Sequence, residues 1–332
     1  MNRDELLKRL QQLDPLPLGV FPTPLLPLTR LSATLGGPEL WIKRDDLTGL
    51  GGGGNKVRKL TFLAADALRQ DADMLMTTGA CQSNHARQTA AVAARLGLPC
   101  VLVLAGDAQP PQGNHLLDRL FGAEVRWAGE RSPLKALYAE AESLRQAGRR
   151  PYVVPYGGSN AVGVCGYVLA LAELAGQLEA LDLTFDALVV ASSSGGTQAG
   201  LALGARALGF SGEVLGISIS ERADDFRARL AQLANEAADL LSLPITLAPE
   251  DFSVSDAYLG AGYGRVSAVE REAIALAAQT EGLLVDPVYT GRALGGLIDL
   301  VRQGRFAPGA RVLFWHTGGA PALYAYATEL LA

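Results

Sequence analysis

Short apolar runs rich in β-branched residues alternate along the chain with longer stretches whose hydrophobic positions recur at three and four. The runs ELWIK (39–43), DMLMTT (73–78), CVLVLA (100–105) and EVRWA (124–128) have the length and composition of strands. So do PYVVP (151–155), DALVVA (186–191), EVLGISI (213–219) and RVLFW (311–315). Helical spacing is clearest in Leu134, Leu137, Tyr138, Ala141 and Leu144, and again in Phe226, Leu230, Leu233, Ala237 and Leu240. Strands that alternate with helices predict an α/β fold of mostly parallel sheets covered by helices on both faces. The near-continuous apolarity of DALVVA predicts burial from both sides.

A length of 332 residues implies two lobes rather than one. No fixed-period repeat and no Ser/Pro linker divides them, so one lobe is expected to be inserted in the other. The glycine-rich segments TGLGGGGNK (48–56) and YGGSNAVGVCGY (156–167) bracket the inserted block. The expected division is a large lobe from 1–56 and 166–332 and a small lobe from 57–165.

Hydrophobic residues at 49% and charged residues at 19% provide ample apolar surface for a core. Lys plus Arg at 29 against Asp plus Glu at 34 leaves a net charge of −5 with no basic block, so nucleic acid is not an expected partner. No stretch is read as a membrane span and the start, MNRDELLKRLQQLD, has no signal-peptide core; the expected location is the cytoplasm. Three cysteines, Cys81, Cys100 and Cys165, form no C-x-x-C pair and read as reduced thiols, with Cys81 a packing residue and not a nucleophile. His85, His115 and His316 fall in no metal-binding spacing, so no metal is expected.

Ligands of open α/β sheets bind beyond the carboxyl ends of strands, and the loops there carry the candidate chemistry. In TGACQSNHARQT (78–89), Ser83, Asn84 and His85 stand at a helix start, where free N–H groups favour an anion such as a carboxylate. In VVASSSGGTQAG (189–200), the run from Ser192 through Ser194, Gly195 and Gly196 to Thr197 reads as a phosphate cup without the pattern of a nucleoside triphosphate site. In GLGGGGNKVRKL (49–60), Lys56 follows a glycine run and opens a helix, where a desolvated amine can form a Schiff base. Lysine and cup together point to a phosphorylated aldehyde cofactor. A literal G-x-G-x-x-G at Gly49, Gly51 and Gly54 raises a dinucleotide-dependent oxidoreductase as a reading from another class, but Asp45 to Thr48 separate it from the strand end that such a site needs. Tyr263, Tyr289, Thr290 and Thr317 occupy the remaining glycine-flanked loops.

The segments FPTPLLPL, WIKRDDLTG, GGNKVRKL, TGACQSNHARQTAAVAARLGL, GGSNAVG, GTQAGLALG, GAGYG, DPVYTGRALGGLID and HTGGAPALYAY, spread from Phe21 to Tyr326, carry a family likeness. The chain resembles the family of D-cysteine desulfhydrases, 1-aminocyclopropane-1-carboxylate deaminases and L-cysteate sulfo-lyases, and within it most of all the desulfhydrase group. The resemblance implies pyridoxal 5'-phosphate as cofactor, the two-lobed fold of the tryptophan synthase β-subunit type, a homodimer, and a small amino-acid substrate. It implies β-elimination of sulfide from D-cysteine to give pyruvate and ammonia, with the sulfo-lyase as alternative. The deaminase ranks third, because this chain has SNHAR and DPVYTG where deaminases have SNQTR and DPVYEG.

Carried onto these positions, Lys56 would hold the cofactor and Asn84 would meet its ring hydroxyl. Ser83, Asn84 and His85 would receive the substrate carboxylate, and Ser194, Gly195, Gly196 and Thr197 the cofactor phosphate. Tyr263 and Tyr289 would line the active site, and Thr290 or Thr317 would lie near the pyridine nitrogen. Lys56, Ser83 and Tyr263 are the candidates for the base that removes the α-proton. Ser193 replaces a glycine usual in the cup, which raises the question of a positive φ there.

Overall fold

All eight apolar runs form strands in the computed structural model, which describes residues 1–332, with boundaries displaced by one or two residues. The strands are β1 (Leu25–Pro27), β2 (Glu39–Arg44), β3 (Met74–Gly79), β4 (Cys100–Leu104), β5 (Glu124–Trp127), β6 (Pro151–Val153), β7 (Ala187–Ser192), β8 (Glu213–Ser218), β9 (Ser253–Ser255) and β10 (Arg311–His316). The helices are α1 (Arg3–Gln11), α2 (Thr29–Leu35), α3 (Lys56–Arg69), α4 (Asn84–Leu96), α5 (Gly113–Leu120) and α6 (Pro133–Gln146), followed by α7 (Ala161–Leu181), α8 (Gly196–Leu208), α9 (Ala223–Leu240), α10 (Ala268–Glu281), α11 (Thr290–Arg302) and α12 (Ala327–Leu331). The two strands that sequence pattern does not reveal, β1 and β9, have three residues each, too few to show a period.

Six strands form one sheet in the order β1-β2-β10-β7-β8-β9, and four form another in the order β5-β4-β3-β6. Every pairing is parallel except that of β1 with β2. Parallel strands need crossover helices on both faces, and β7 shows the result. Its Val189 packs with Leu294 and Leu297 of α11 on one side, while Leu188 and Val190 pack with Tyr167, Leu171 and Leu201 of α7 and α8 on the other. The four-stranded sheet falls wholly within residues 57–165, whereas the expected division at 165/166 passes through α7.

Two features of the helices bear on the sequence reading. On α6 the apolar stripe is only half buried: Leu137 and Ala141 are inaccessible, while Leu134 and Tyr138 are 45% and 52% exposed. The other concerns α7, whose 21 residues and mean hydropathy of 1.6 make it long and apolar enough to cross a membrane, contrary to the reading that no stretch qualifies. In the fold it packs against α3, α8 and α9 as a core helix.

A charged core fixes where α3 begins. Arg58 grips Asp45 in a bidentate pair, Nε to Oδ2 at 2.9 Å and Nη2 to Oδ1 at 2.8 Å, and reaches Glu173 of α7 at 3.0 Å. Tyr167 and Trp315 also donate to Asp45, at 2.6 and 2.8 Å. Burial alone would raise the Asp45 pKa, but Arg58 and these donors outweigh it and hold the carboxyl below its usual range. Because Asp45 directly follows β2 and Arg58 lies in the first turn of α3, the network fixes both ends of the glycine loop between them.

Candidate active site

The carboxyl end of β3 in the small sheet and that of β7 in the large one face a single cleft. Asn55 and Lys56 line it at the start of α3, Ser83 to His85 at the start of α4, Ser192 to Gly195 and Thr197 at the start of α8, with Tyr156, Gly157, Tyr289 and Thr317 completing the wall. Three helix N-termini therefore open on one space, and no carboxylate lines it. Such a cleft favours anions.

Lys56 is the first residue of α3 and its Nζ donates to the Gly157 carbonyl at 3.2 Å. Lys59, one turn further on, donates to the same oxygen at 3.1 Å and to Ser159 Oγ at 3.1 Å. Burial lowers the Lys56 pKa to about 8, and burial followed by the charge of Lys56 drives Lys59 well below the usual lysine range. Two partly discharged amines thus share one carbonyl acceptor.

The cup after β7 is shaped for an oxyanion. Gly195 has φ 92, a conformation open to glycine, and turns the chain into α8. A Cβ on Gly196 would stand 2.7 Å from Ser159 Oγ and 3.0 Å from Lys59 Nζ, so a side chain there would displace the donors beside the cup. Ser194 Oγ lies 2.8 Å from Ser159 Oγ, Thr197 Oγ1 accepts from Asn55 at 3.1 Å, and buried Ser192 Oγ has no partner in the protein. These hydroxyls, the start of α8 and the Lys59 amine fit a phosphate. Ser193 is not among the residues of positive φ, so its replacement of glycine causes no strain; its carbonyl accepts from Arg229 at 3.0 Å.

At the start of α4, Ser83 Oγ caps the helix by accepting from the Ala86 N–H at 3.1 Å, which leaves the hydroxyl hydrogen free. No protein acceptor takes the N–H of Asn84 or His85. The His85 ring is engaged within the protein. Thr77 gives its hydroxyl hydrogen to the Val154 carbonyl at 2.9 Å, so at 2.9 Å it accepts from His85 Nε2–H. Burial, then the charges of Lys56 and Lys59, push the imidazole pKa far down, so the neutral ring has no second donor to offer. What His85 presents to an anion is its backbone N–H.

Tyr263 and Tyr289 stand hydroxyl to hydroxyl at 2.5 Å with their rings at 72°. Burial raises both phenols above their ordinary pKa, so both stay protonated at neutral pH. Tyr289 lines the cleft and Tyr263 stands behind it, 36% exposed. A single side chain secures them: Arg292, buried one turn into α11, donates to Glu270 Oε1 at 2.6 Å, to the Ile219 and Leu259 carbonyls at 3.0 Å, and to the Gly262 and Arg265 carbonyls at 3.1 and 2.8 Å.

The structure also separates the two threonines. Thr290 is fully buried, donates to Asp286 Oδ1 at 2.7 Å and accepts from the Asp286 N–H at 2.7 Å, so it turns away from the cleft. Asp286 in turn accepts from the N–H groups of Val288, Tyr289 and Thr290 and caps α11. Thr317, at the end of β10, is the threonine of this pair that lines the cleft. Cys81 is half-buried and outside the lining; burial and then Asp118 push its thiol pKa up. The Gly49–Gly54 loop is occupied structurally, since the Arg87 and Gln88 side chains donate to its Gly51 and Gly53 carbonyls.

Of the residues that sequence reasoning missed, Lys59 carried a signal, since three residues after Lys56 is one helical turn on the same face. Asn55, Tyr156 and Ser159 flank motifs already singled out, and only folding reveals that Ser159 meets Ser194.

Residues 16–318 match the model of the pyridoxal-phosphate dependent enzyme family. The chain is 49% identical over 311 residues to a D-cysteine desulfhydrase of Yersinia enterocolitica serotype O:8 / biotype 1B, covering 92% of this chain and 93% of that protein. It is 48% identical over 333 residues to the D-cysteine desulfhydrase of Serratia proteamaculans, with 98% and 99% covered. Among solved structures, an ACC deaminase homologue superposes with a TM-score of 0.92 at 39% identity, covering 100% of this chain and 99% of that one. The processed form of threonine deaminase isoform 2 from Solanum lycopersicum, at 16% identity and a TM-score of 0.69 over 100% of this chain and 88% of its own, shares the fold.

Proposed function

The chain belongs to the pyridoxal-phosphate dependent enzyme family, and from that premise we propose that it is a carbon–sulfur lyase converting D-cysteine to pyruvate, hydrogen sulfide and ammonia. The observation that carries the reading is near-half identity to D-cysteine desulfhydrases over almost the whole chain, with the Lys56 amine facing the α8 cup across one cleft. When bound, pyridoxal phosphate supplies an electron sink that acidifies the α-hydrogen of an amino acid joined to it. Lys56 is the residue to join it: with a pKa near 8, a useful fraction of its amine is neutral and nucleophilic at working pH. Ser194, Gly195, Gly196, Thr197 and Lys59 would hold the phosphate, Asn84 the ring oxygen, and Thr317 the side of the ring nitrogen.

The substrate carboxylate is assigned to the Ser83 hydroxyl and the free N–H groups of Asn84 and His85. Of the three candidate bases, Lys56 is favoured. The Tyr263 phenol is held protonated by burial, and the Ser83 hydroxyl is engaged as the cap of α4. Tyr289, with Tyr263 behind it, would keep a proton available to a leaving group. We extend the reading to a cytoplasmic homodimer whose two sheets belong to lobes that close over the cleft, excluding water.

The test is product analysis: D-cysteine should release sulfide and pyruvate in equal amounts. Faster release of sulfite from L-cysteate, or of ammonia from 1-aminocyclopropane-1-carboxylate, would replace the reading. Borohydride reduction followed by peptide mapping should label Lys56, and a label on Lys59 would overturn its assignment. Size measurement in solution tests the dimer, which a stable monomer at working concentration would exclude.

A further inference from the structure

We propose that Asn114, which lies outside the cleft, is a positioning residue that dictates which end of the Asn84 carboxamide faces the ligand. Asn114 is the second residue of α5 and is fully buried. Its backbone N–H donates to Gln82 Oε1 at 2.9 Å, and its Nδ2 donates both to the Gln82 carbonyl and to Asn84 Oδ1, each at 2.9 Å. An amide nitrogen carries two hydrogens, so this donor is fully used.

The direction of the relay follows from its first member. A carboxamide can turn end for end with little change of shape, but a backbone carbonyl cannot. Because the Gln82 oxygen is a fixed acceptor, Asn114 must present Nδ2 to it. Turned the other way, Asn114 would set its own oxygen against two acceptors in a buried place, losing two hydrogen bonds. With Nδ2 so fixed, its second hydrogen selects Oδ1 of Asn84, which leaves the Asn84 amide hydrogens as the group offered elsewhere. Asn84 lines the cleft, and its Nδ2 lies beside the Gly319 backbone, two residues beyond Thr317. The cleft therefore receives a hydrogen-bond donor from Asn84. A donor there favours a ligand oxygen that carries negative charge, such as the ring oxygen of the cofactor.

The inference rests on the reading that Asn84 meets that ring oxygen. It makes an unusual demand on Asn114→Asp, which keeps the shape but gives two acceptors in place of one donor and one acceptor. The Asn84 amide must then turn to donate to the new carboxylate and present its own oxygen to the cleft. With no donor beside it, the cofactor's ring oxygen holds the neighbouring proton more tightly. The visible band of the lysine-bound cofactor should then titrate at higher pH, by about one unit, and the apoprotein should bind pyridoxal phosphate about tenfold more weakly.

The experiment titrates the band and the cofactor affinity in wild type, Asn84→Ala, Asn114→Asp and the double variant. Asn114→Ala serves as a second single variant that removes the donor without adding charge, in case the aspartate variant fails to fold. The expected result is that both single changes move the band in the same direction, and that the double variant moves it no further than Asn84→Ala alone, since residues acting through one another are not additive. Additive shifts, or a wild-type titration in a folded Asn114 variant when Asn84→Ala moves the band, would overturn the role of Asn114 alone. An unmoved band in Asn84→Ala would remove the contact on which the inference rests, while sulfide release from the same preparations reports separately on the proposed activity.

Discussion

Arg292→Lys is the perturbation that best separates the machinery of the tyrosine pair from that of the cofactor. All five N–H groups of Arg292 are used: one on Glu270, two on the carbonyls of Ile219 and Leu259, and two on those of Gly262 and Arg265. Four of these acceptors are backbone oxygens, and three belong to the segment 259–265 that carries Tyr263. A lysine keeps the charge opposite Glu270 but has three donors on a single atom, so at least two of the five acceptors lose their partner. At about 1–1.5 kcal/mol for each bond, with a further cost for acceptors left dry, the change should lower the unfolding free energy by about 2–4 kcal/mol. Urea denaturation measures it. Loosening of the segment should also part Tyr263 from Tyr289, and a misplacement near 1 Å can cost up to about a hundredfold in turnover. The expected outcome is a fall of at least tenfold in kcat/KM for D-cysteine, with the visible cofactor band retained because Lys56 and the cup lie on other elements. A variant that loses less than about 1 kcal/mol and turns over like wild type would refute the claim that Arg292 sets the tyrosine positions.

Other outcomes follow from the same geometry. Lys56→Ala should abolish the visible band and sulfide release while the protein still unfolds cooperatively in urea; a surviving band would move the cofactor to another amine. Lys59→Met should weaken binding of pyridoxal phosphate and of inorganic phosphate to the apoprotein by about tenfold or more, leaving the KM for D-cysteine less affected, as equilibrium titration would show. Asp118 is buried with neither oxygen partnered, and burial raises its pKa from 3.8 to about 8. Its folded form holds more protons than the unfolded chain between those values, so it costs stability increasingly as pH rises from about 4 to 8. Asp118→Asn should therefore stabilise the protein more at pH 8 than at pH 5 in paired denaturation curves. Cys81→Ala should keep most of the activity, and a hundredfold loss with cofactor bound would make the thiol part of the chemistry.

The strands and the helix starts were legible because both announce themselves locally. A buried parallel strand needs an apolar run, and an N-cap needs a small polar residue before a helical stretch, as Ser83 shows before α4. The side on which a residue falls was less legible. Thr290 and Thr317 both follow glycine-rich or strand-end cues, yet Thr290 closes a buried hydrogen-bonded turn with Asp286 and only Thr317 meets the cleft. The place of His85 at a helix start is plain in the sequence, but its ring is consumed by Thr77 in the neighbouring strand, a partner eight residues away whose orientation depends on the Val154 carbonyl of a third segment. Contacts such as Asn114 to Asn84, or Arg292 to the 259–265 carbonyls, have no period and no motif. They join segments through space, and a single sequence contains no record of that meeting.

The arrangement of charge explains why the cleft must be built from two sheets. Its acids are absent or spent: Asp286 is taken by the start of α11, Asp45 by Arg58, and no carboxylate lines the space. What remains is cationic at two places, the cup of α8 with Lys59 and the start of α4, with the Lys56 amine at the start of α3 opening on the same cleft. Without a ligand both amines have lowered proton affinity, Lys56 through burial and Lys59 through burial and then the charge of Lys56. A phosphate on the α8 side compensates Lys59, and a carboxylate on the α4 side compensates the other helix start. The first belongs to the large sheet and the second to the small one, so a cofactor alone satisfies one half, and only cofactor and amino acid together satisfy both. In the proposed reading, substrate binding would thereby be coupled to the approach of the two sheets, with Lys56 left where its lowered proton affinity suits it to give up and recover a proton.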